Sequence, residues 1–458
     1  MTPTPNHAHR SQPRWNTWGD RLVGLGAVGV ALALAHAWMT QYANPQGNGF
    51  FSQKLSGPIE DLMPNPPNTA ALQPLVGYHY FSDLQLAIAY GKTANPYLID
   101  YPAQYPPIGI LEFRLLGLFG YQAGLWLFLL GAIGILGFVG WRLMGEVSRS
   151  RKLVNLLVLV ILTPAMVMAV DRGALSPIAT GMVGLAFLAA QRRRMFVAGV
   201  VLLLAISLKP YLALVLLYPL LRGYWKFVLK TAAATALINL AAFALFLGSF
   251  LNSFNGFINA TLRYADSTAA ADQATTVKFV TLDSVSGTGT ILRVITFWKN
   301  IDVASMIYDN YVDFVLLPGL LFLIALIIIL LNRHLPFWIP LTLTLATSTV
   351  VFPATPLYTL TWASLAAFYF GSSNSDPFPR TSRQDESGPL DRTWLRIAYL
   401  VAIALCLVPT FWLIPGIESG NQTAAGLLGP LAILIAAALT LGSSLWDFIQ
   451  HRRQALTG

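Results

Sequence analysis

The sequence predicts an all-α integral membrane protein, and three observations lead to this prediction. Of the 458 residues, 55% are hydrophobic and only 11% are charged, whereas soluble domains carry about 25% charged residues. Long runs of Leu, Ala and Val recur along the chain, and in lipid only helices or closed barrels satisfy every backbone polar group. The alternating pattern of barrel strands is absent. We therefore predict a multi-span helical bundle with about 10–12 membrane segments, given roughly 20 apolar residues per full span.

The apolar runs place these segments in chain order. They fall approximately at residues 21–40, 121–143, 153–170, 174–190, 195–208, 211–221, 231–250, 311–331, 336–352, 357–370, 397–414 and 424–446. Several runs are shorter than a full span. Between two short runs stands Lys209-Pro210, which predicts two half-helices that meet at a kink, because proline removes a backbone donor.

The charged residues predict the orientation of the segments. Most of the 29 lysines and arginines lie in the two termini and in every second connection. The positive-inside rule therefore places both termini in the cytoplasm. The net charge of +9 is explained by this topology, and no nucleic-acid partner is predicted.

This topology divides the chain into four regions with two long outer loops. The regions are a cytoplasmic tail (1–20), a membrane module (21–370) with outer loops at 41–120 and 251–310, a linker (371–396), and a C-terminal helical pair with a basic tail (397–458). The linker is rich in Ser and Pro, a composition that predicts a disordered cytoplasmic segment. The apolar run from Pro107 to Phe119 is too short to span a membrane, so we expect it to lie in the interface or to re-enter.

Asp83, in the first outer loop, is the main candidate for chemistry. Its neighbours are mostly apolar and aromatic, and such surroundings disfavour the charged form of a carboxyl, which is one way to make a general base. An Asp at this place also suits the start of a helix over residues 84–90. The residues alone leave both interpretations open. His79 precedes Asp83 by four residues and would share a helix face with it.

Three further outer positions carry groups suited to a phosphorylated or glycosidic substrate. Lys209 stands inside an apolar run, where an ionisable residue predicts function, although its side chain also reaches the interface by snorkelling. Arg172, beside Asp171, offers a bidentate partner for phosphate or completes a simple helix-to-helix turn. Tyr105 offers a flat ring for a sugar or prenyl chain, or belongs to an aromatic belt.

Several classes of site are excluded by what the sequence lacks. The outer segments hold one histidine, and there is no Asp-x-Asp pair for a metal-bound nucleotide. No Gly-rich loop ends in Lys-Ser or Lys-Thr, so ATP-driven transport has no support. No metal site and no cofactor are predicted, and the need for a divalent metal stays open.

Four stretches carry a resemblance to a known family. They are GKTANPY (residues 91–97), YPP (105–107), DRGALSPIATGMVGLAFLA (171–189) and the Lys-Pro-containing run at 197–226. In this order, after an early Asp83, they resemble the GT-C superfamily of membrane glycosyltransferases. Within it, the chain is similar to the actinobacterial polyprenol-phosphate-mannose-dependent α-mannosyltransferase family.

The resemblance covers most of residues 20–370 and implies both a fold and an activity. The implied fold is a GT-C-type bundle whose long outer loops carry short interfacial helices. The implied activity is an inverting transfer of a sugar, with mannose favoured, from a polyprenyl-phosphate donor to a lipid-linked or cell-envelope glycan. The resemblance places this reaction on the outer face of the bacterial plasma membrane. It needs no ATP, because the glycosyl-phosphate bond already stores the driving force.

The resemblance also implies roles for individual residues. Asp83 matches the acid of the family's first outer loop and would be the catalytic base, while Lys209 and Arg172 would contact the donor phosphate. Family members often carry a histidine near the outer end of a late helix, where this chain has Tyr358. Either Tyr358 or His79 is therefore predicted to support catalysis, or the acceptor differs from that of the family. The predicted substrate pocket further comprises Tyr80, Tyr105, Asp171 and Arg263.

Three other functions are compatible with parts of this pattern. Arabinofuranosyl transfer from decaprenyl-phosphate arabinose uses related GT-C scaffolds. A lipid or polysaccharide transporter would show symmetry-related repeats and polar residues through both leaflets, whereas here the polar groups gather on the outer side. A non-catalytic assembly partner would tolerate the loss of Asp83. The acceptor, the linkage and the oligomeric state do not follow from the sequence.

Overall fold

The chain folds into a bundle of helices. The computed structural model describes residues 14–43, 81–100, 102–118, 120–270, 317–332, 334–351, 357–373, 376–379, 392–407 and 424–457. The first helices are α1 (Thr17–Ala43), α2 (Ser82–Lys92), α3 (Pro107–Gly117), α4 (Tyr121–Leu143), α5 (Arg149–Leu156), α6 (Pro164–Arg172), α7 (Ser176–Gln191) and α8 (Met195–Leu208). The later helices are α9 (Leu217–Leu221), α10 (Trp225–Ala242), α11 (Phe250–Ala270), α12 (Leu317–Leu331), α13 (Trp338–Val350), α14 (Trp362–Gly371), α15 (Thr393–Leu407) and α16 (Ala424–Thr457).

Short irregular helices join some of these elements. One π-helical turn (Leu157–Ile161) follows α5, and 3-10 helices occupy Pro210–Leu216, Phe243–Leu245 and Leu357–Thr361. Within the described residues, the strands are β1 (Arg14–Trp15) and β2 (Ser372–Ser373), which form a two-residue antiparallel pair. The all-α prediction is thus confirmed, since this pair is a local bridge between the start of α1 and the end of α14.

Three described helices are long and apolar enough to cross a membrane. They are Tyr121–Leu143, Trp225–Leu245 and Leu428–Gln450. The pair Arg149–Ile161 and Pro164–Val170, bent by 68°, makes a fourth if it is counted as one broken span. The bend lies at Thr163-Pro164, where the threonine hydroxyl accepts a hydrogen bond from the Met166 amide and caps α6. Most of the other predicted segments correspond to shorter apolar helices.

The predicted kink at Lys209-Pro210 is confirmed. Helix α8 ends at Leu208, Lys209 is extended (φ −140°, ψ 93°), and the chain continues from Pro210 as a 3-10 helix. Because the proline lacks an amide hydrogen and its ring crowds the preceding turn, it favours a break in the helix at this position. Lys209 therefore stands at a break between two helical segments.

The centre of the bundle is formed by α13 and α14, in which every described residue is buried. Around them, α4 packs on α7, α7 on α8, and α8 on α10. The C-terminal pair also belongs to the bundle: α15 contacts α1, and α16 contacts α12. The hydroxyl groups of Tyr399 on α15 and Thr440 on α16 lie 3.1 Å apart.

The predicted linker is packed where the structure describes it. Phe378 is fully buried, and its ring contacts those of Phe187, Tyr218, Tyr224 and Phe227. The prediction of disorder is wrong for residues 376–379, because an aromatic side chain in a Ser- and Pro-rich segment finds a ring-lined pocket. Residues 380–391 lie outside the described residues.

A buried ion pair holds the same segment. Arg222 lies 3.5 Å from Asp376, and the Tyr218 hydroxyl donates a hydrogen bond of 2.8 Å to that carboxylate. The Tyr218 hydroxyl in turn accepts from Arg222 at 3.1 Å. Each polar group that the segment buries here therefore has a partner, as a buried charge requires.

Replacing Phe378 by Ala is expected to destabilise the protein. Removing a fully buried Phe ring costs about 3–5 kcal/mol, because it leaves a cavity among the neighbouring rings. Thermal unfolding in detergent would measure the loss, with Phe196→Ala as the control, since Phe196 is 84% exposed. Equal unfolding temperatures for the two variants would contradict the packing described for this segment.

Candidate active site

Asp83 is presented by the start of α2. Phe81, the residue before this helix, has a left-handed backbone (φ 58°, ψ 34°), which is costly for a bulky side chain. The turn brings Asp83 into the first helical turn, where an anion is stabilised by the helix dipole. The side chain of Asp83 is 26% exposed, so a substrate group can approach it.

Arg172 is presented by the end of α6. The helix is terminated by Gly173, which is also left-handed (φ 71°). A Cβ atom at Gly173 would lie 2.6 Å from Leu84 Cβ and 3.2 Å from Phe81 Cα. The last turn of α6 therefore abuts the first turn of α2, and only glycine fits between them.

This junction places Asp83 and Arg172 face to face. Arg172 Nη2 lies 3.2 Å from Asp83 Oδ1, and Arg172 Nε lies 3.4 Å from Oδ2. The contact is the two-pronged arrangement that guanidinium and carboxylate groups favour. The two residues are 89 positions apart in the sequence. The structure thus unites two predicted site residues in one ion pair.

Tyr105 is close enough to this pair for both charges to act on its phenol. Burial raises the pKa of its phenol, the Asp83 charge raises it further, and Arg172 opposes the change. The hydroxyl therefore stays protonated at physiological pH and can donate a hydrogen bond. The ring stands edge-on to Phe113, with 4.8 Å between centroids, and the Tyr105 carbonyl accepts from the Tyr97 hydroxyl at 2.9 Å.

Lys209 approaches the same tyrosine from the break after α8. Its Nζ atom lies 5.3 Å from the centroid of the Tyr105 ring, a cation–π distance. Two positions later, the Tyr211 hydroxyl lies 3.2 Å from the hydroxyl of Ser176, the first residue of α7. One carboxylate, two cations and two phenols therefore gather at one end of the bundle, which we call the site end.

Comparison with protein families shows what this chain is similar to. The model of glycosyltransferase family 87 matches residues 103–336, just over half of the 458 residues. The chain belongs to glycosyltransferase family 87. No curated protein and no solved structure is significantly similar to it. With its apolar helices, the family 87 protein is a membrane glycosyltransferase of the GT-C type, as the resemblance predicted.

The family match and the site overlap in part. The matched residues include Tyr105, Arg172 and Lys209. Asp83 precedes the match and reaches the site through its ion pair with Arg172. The geometry, more than the family assignment, therefore makes Asp83 part of the site.

Of the other predicted site residues of the family 87 enzyme, the structure describes the side chain of Tyr358 alone. His79 and Tyr80 lie outside the described residues, as do the side chains of Asp171 and Arg263. Tyr358 is half-buried on the 3-10 helix at 357–361, which packs against α6, the helix that ends in Arg172. Its supporting role stays a prediction. Among the described residues, no three His, Cys, Asp or Glu side chains are grouped to hold a metal ion.

Tyr211 and Ser176 were missed by the sequence analysis. A tyrosine two residues after a lysine, within an apolar run, is indistinguishable from interfacial packing. The signal that could have found it is the break at Pro210, because both Lys209 and Tyr211 flank the proline. Ser176 precedes a proline at the start of α7, and such a serine is normally interpreted as a helix start.

Glu112 on α3 of the family 87 enzyme has a buried carboxyl group that the sequence analysis missed. Neither of its oxygens has a hydrogen-bond partner among the described residues. Burial raises the pKa of Glu112 from its ordinary value of 4.5 to about 8. It is therefore mostly protonated at pH 7, when an unfolded chain would have lost the proton.

Replacing Glu112 by Gln is expected to change how stability depends on pH. The raised pKa stabilises the folded state below about pH 4.5, and this contribution is lost as pH rises to about 8. The loss amounts to at most about 1.4 kcal/mol per pH unit. Unfolding between pH 5 and 9 should therefore show the wild type losing stability relative to Glu112→Gln up to about pH 8. If the stability of the two proteins changed with pH in parallel, this would contradict a buried Glu112 carboxyl with a raised pKa.

Replacing Gly173 by Ala is expected to disturb the site and the fold together. The left-handed backbone costs a residue with a Cβ atom about 1–2 kcal/mol, and the new methyl group would collide with Leu84. We expect a lower unfolding temperature and slower sugar transfer, because α2 must move away from α6. Gly134→Ala is the control, since a Cβ there meets open space. Equal transfer rates for the two variants would contradict the tight junction.

Proposed function

We propose that this family 87 enzyme transfers a sugar from a polyprenyl-phosphate donor to a hydroxyl of a lipid-linked or cell-envelope glycan. Mannose is the favoured sugar, in keeping with the sequence resemblance. The observation that carries the proposal is the grouping of Asp83, Arg172 and Lys209 around Tyr105. It supplies a base for an acceptor and cations for a phosphate within one cluster.

The proposed reaction is a single displacement at the anomeric carbon. The Asp83 carboxylate takes the proton of the acceptor hydroxyl, and the acceptor oxygen attacks the anomeric carbon. The bond from that carbon to the phosphate oxygen breaks, and its electron pair leaves with the polyprenyl phosphate. A general base of this kind contributes about 10²- to 10⁴-fold. Inversion at the anomeric carbon follows from attack opposite the leaving group.

The cations act on the leaving group in this proposal. Lys209 and Arg172 would stabilise the charge that grows on the phosphate as the bond breaks, since donors aimed at developing charge lower the barrier most. The break at Lys209-Pro210 lets the lysine leave the apolar run at the site end. The glycosyl-phosphate bond supplies the free energy, so neither ATP nor a resident cofactor is used.

The proposed location is the outer face of the bacterial plasma membrane, with both termini in the cytoplasm. Helix α7 begins near Arg172 and is followed by the exposed residues Arg192, Arg193 and Arg194. These arginines therefore lie at the opposite end of α7 from the site. By the positive-inside rule that end faces the cytoplasm, which supports an outward-facing site reached by membrane-bound substrates.

Purified enzyme in lipid nanodiscs tests the proposal. Radiolabelled polyprenyl-phosphate mannose would be supplied with a membrane-lipid extract as acceptor, and the arabinose donor would be tested in parallel. We expect the label to move from the mannose donor to a glycan product. Transfer from the arabinose donor alone would replace mannose in the proposal. A third arm would supply a nucleotide sugar, and transfer from that donor alone would contradict a polyprenyl-phosphate donor.

A further inference from the structure

The ion pair of the site has a consequence for the order of events, if the proposed function holds. Both oxygens of Asp83 face nitrogen atoms of Arg172, at 3.2 and 3.4 Å. A general base has to offer a lone pair to the acceptor hydroxyl. In this state the base is engaged with a cation, and Arg172 is engaged with an anion that is not the donor phosphate.

Tyr105 connects the two cations of the site. Its phenol lies within electrostatic range of Asp83 and Arg172, while its ring lies 5.3 Å from Lys209 Nζ. No described carboxylate forms an ion pair with Lys209. Two residues after Lys209, the Tyr211 hydroxyl lies 3.2 Å from the hydroxyl of Ser176, which follows Arg172 by four residues. A phosphate held by Lys209 would therefore lie at the same end of the bundle as the Arg172 guanidinium, which could exchange the carboxylate for the phosphate.

We propose that the donor phosphate draws Arg172 away from Asp83, so that the base becomes available only when donor is bound. Arginine suits this exchange because its planar fork matches phosphate as well as carboxylate geometry. The released Asp83 is then free to accept a hydrogen bond from the acceptor. Arg172 thus links donor binding to the readiness of the base, in addition to its contact with the leaving phosphate.

Binding of decaprenyl phosphate, which carries no sugar and cannot react, tests this exchange. Affinity would be measured in nanodiscs for the wild type, Asp83→Asn, Arg172→Gln and the double variant. In the wild type the phosphate must compete with Asp83 for Arg172. We therefore expect Asp83→Asn to bind roughly 3- to 10-fold tighter, and the double variant to show no such gain over Arg172→Gln, because contacting residues are coupled.

The same four proteins distinguish the exchange from simpler explanations. Removing a negative charge near any phosphate also tightens binding, but that gain would persist without Arg172. The exchange would be overturned if Asp83→Asn raised the affinity for decaprenyl phosphate equally in the wild type and in Arg172→Gln, or did not raise it in the wild type. Either result would leave the proposed class of donor intact. If no protein binds decaprenyl phosphate saturably, the proposed donor itself is wrong, and the exchange fails with it. Asp100→Asn, an exposed acid, is the control and should bind as the wild type does.

Discussion

Replacing Asp83 by Asn is expected to slow sugar transfer by about 10²- to 10⁴-fold, the usual contribution of a general base. Asparagine keeps the size of the side chain and one hydrogen-bond acceptor, but it cannot take the proton of the acceptor hydroxyl. Donor binding should survive, because Lys209 and Arg172 remain. Initial rates of label transfer in nanodiscs, at saturating donor, measure the effect.

The control for this variant is Asp100→Asn. Asp100 is an exposed acid that precedes the matched region as Asp83 does, and its loss should leave the rate unchanged. Thermal unfolding of both variants would show whether the lost ion pair with Arg172 also weakens the fold. If the Asp83→Asn enzyme transferred sugar at the wild-type rate, Asp83 would be only a structural partner of Arg172, and the site would have no identified base.

Replacing Lys209 by Gln is expected to raise KM for the polyprenyl-phosphate donor by about 10- to 100-fold, since a hydrogen bond to a charged group contributes about 1.5–3 kcal/mol. The turnover number should also fall, because the lysine would stabilise the leaving phosphate. Donor titrations at fixed acceptor separate the two effects. Lys209→Arg keeps the charge and should recover part of the affinity.

Lys92→Gln provides the matched control for the lysine. Lys92 is exposed at the end of α2 and carries the same charge, so a loss of general electrostatic attraction would affect both variants alike. A large effect at Lys209 and none at Lys92 is expected. Equal effects would indicate that the lysines attract anionic lipids in general and that Lys209 does not contact the donor.

Much of the architecture of this family 87 enzyme is predictable from its sequence. The apolar runs predict the helices because burial in lipid demands long apolar segments. Pro210 predicts the break after α8, because a proline inside a helix removes a backbone hydrogen bond and kinks or breaks the helix. Asp83, Arg172 and Lys209 could be selected one by one, since each is an ionisable residue next to or inside apolar sequence.

The sequence does not predict which of these residues contact one another in the folded protein. The contact between Asp83 and Arg172 depends on left-handed turns at Phe81 and Gly173. The glycine can be anticipated, but nothing in the sequence signals a left-handed phenylalanine. The orphan carboxyl of Glu112 depends equally on packing around α3, which periodicity does not describe.

The linker also shows a limit of sequence-based prediction, because part of it is packed although its composition predicts disorder. Composition predicts disorder for a Ser- and Pro-rich stretch, and it does so by averaging over the whole segment. One phenylalanine, Phe378, with an acid two residues before it, is enough to fix the residues 376–379 in a pocket. Averages over a window overlook a single anchoring side chain.

The most direct test of the central claim is a single-turnover experiment on wild-type and Asp83→Asn enzyme, each loaded with labelled polyprenyl-phosphate mannose. Bound donor and transferred label would be measured in the same nanodiscs after the acceptor extract is added. The account predicts equal or greater donor occupancy in the variant, with label moving to product only in the wild type. Label moving at the same rate in both enzymes would contradict an active site built on Asp83.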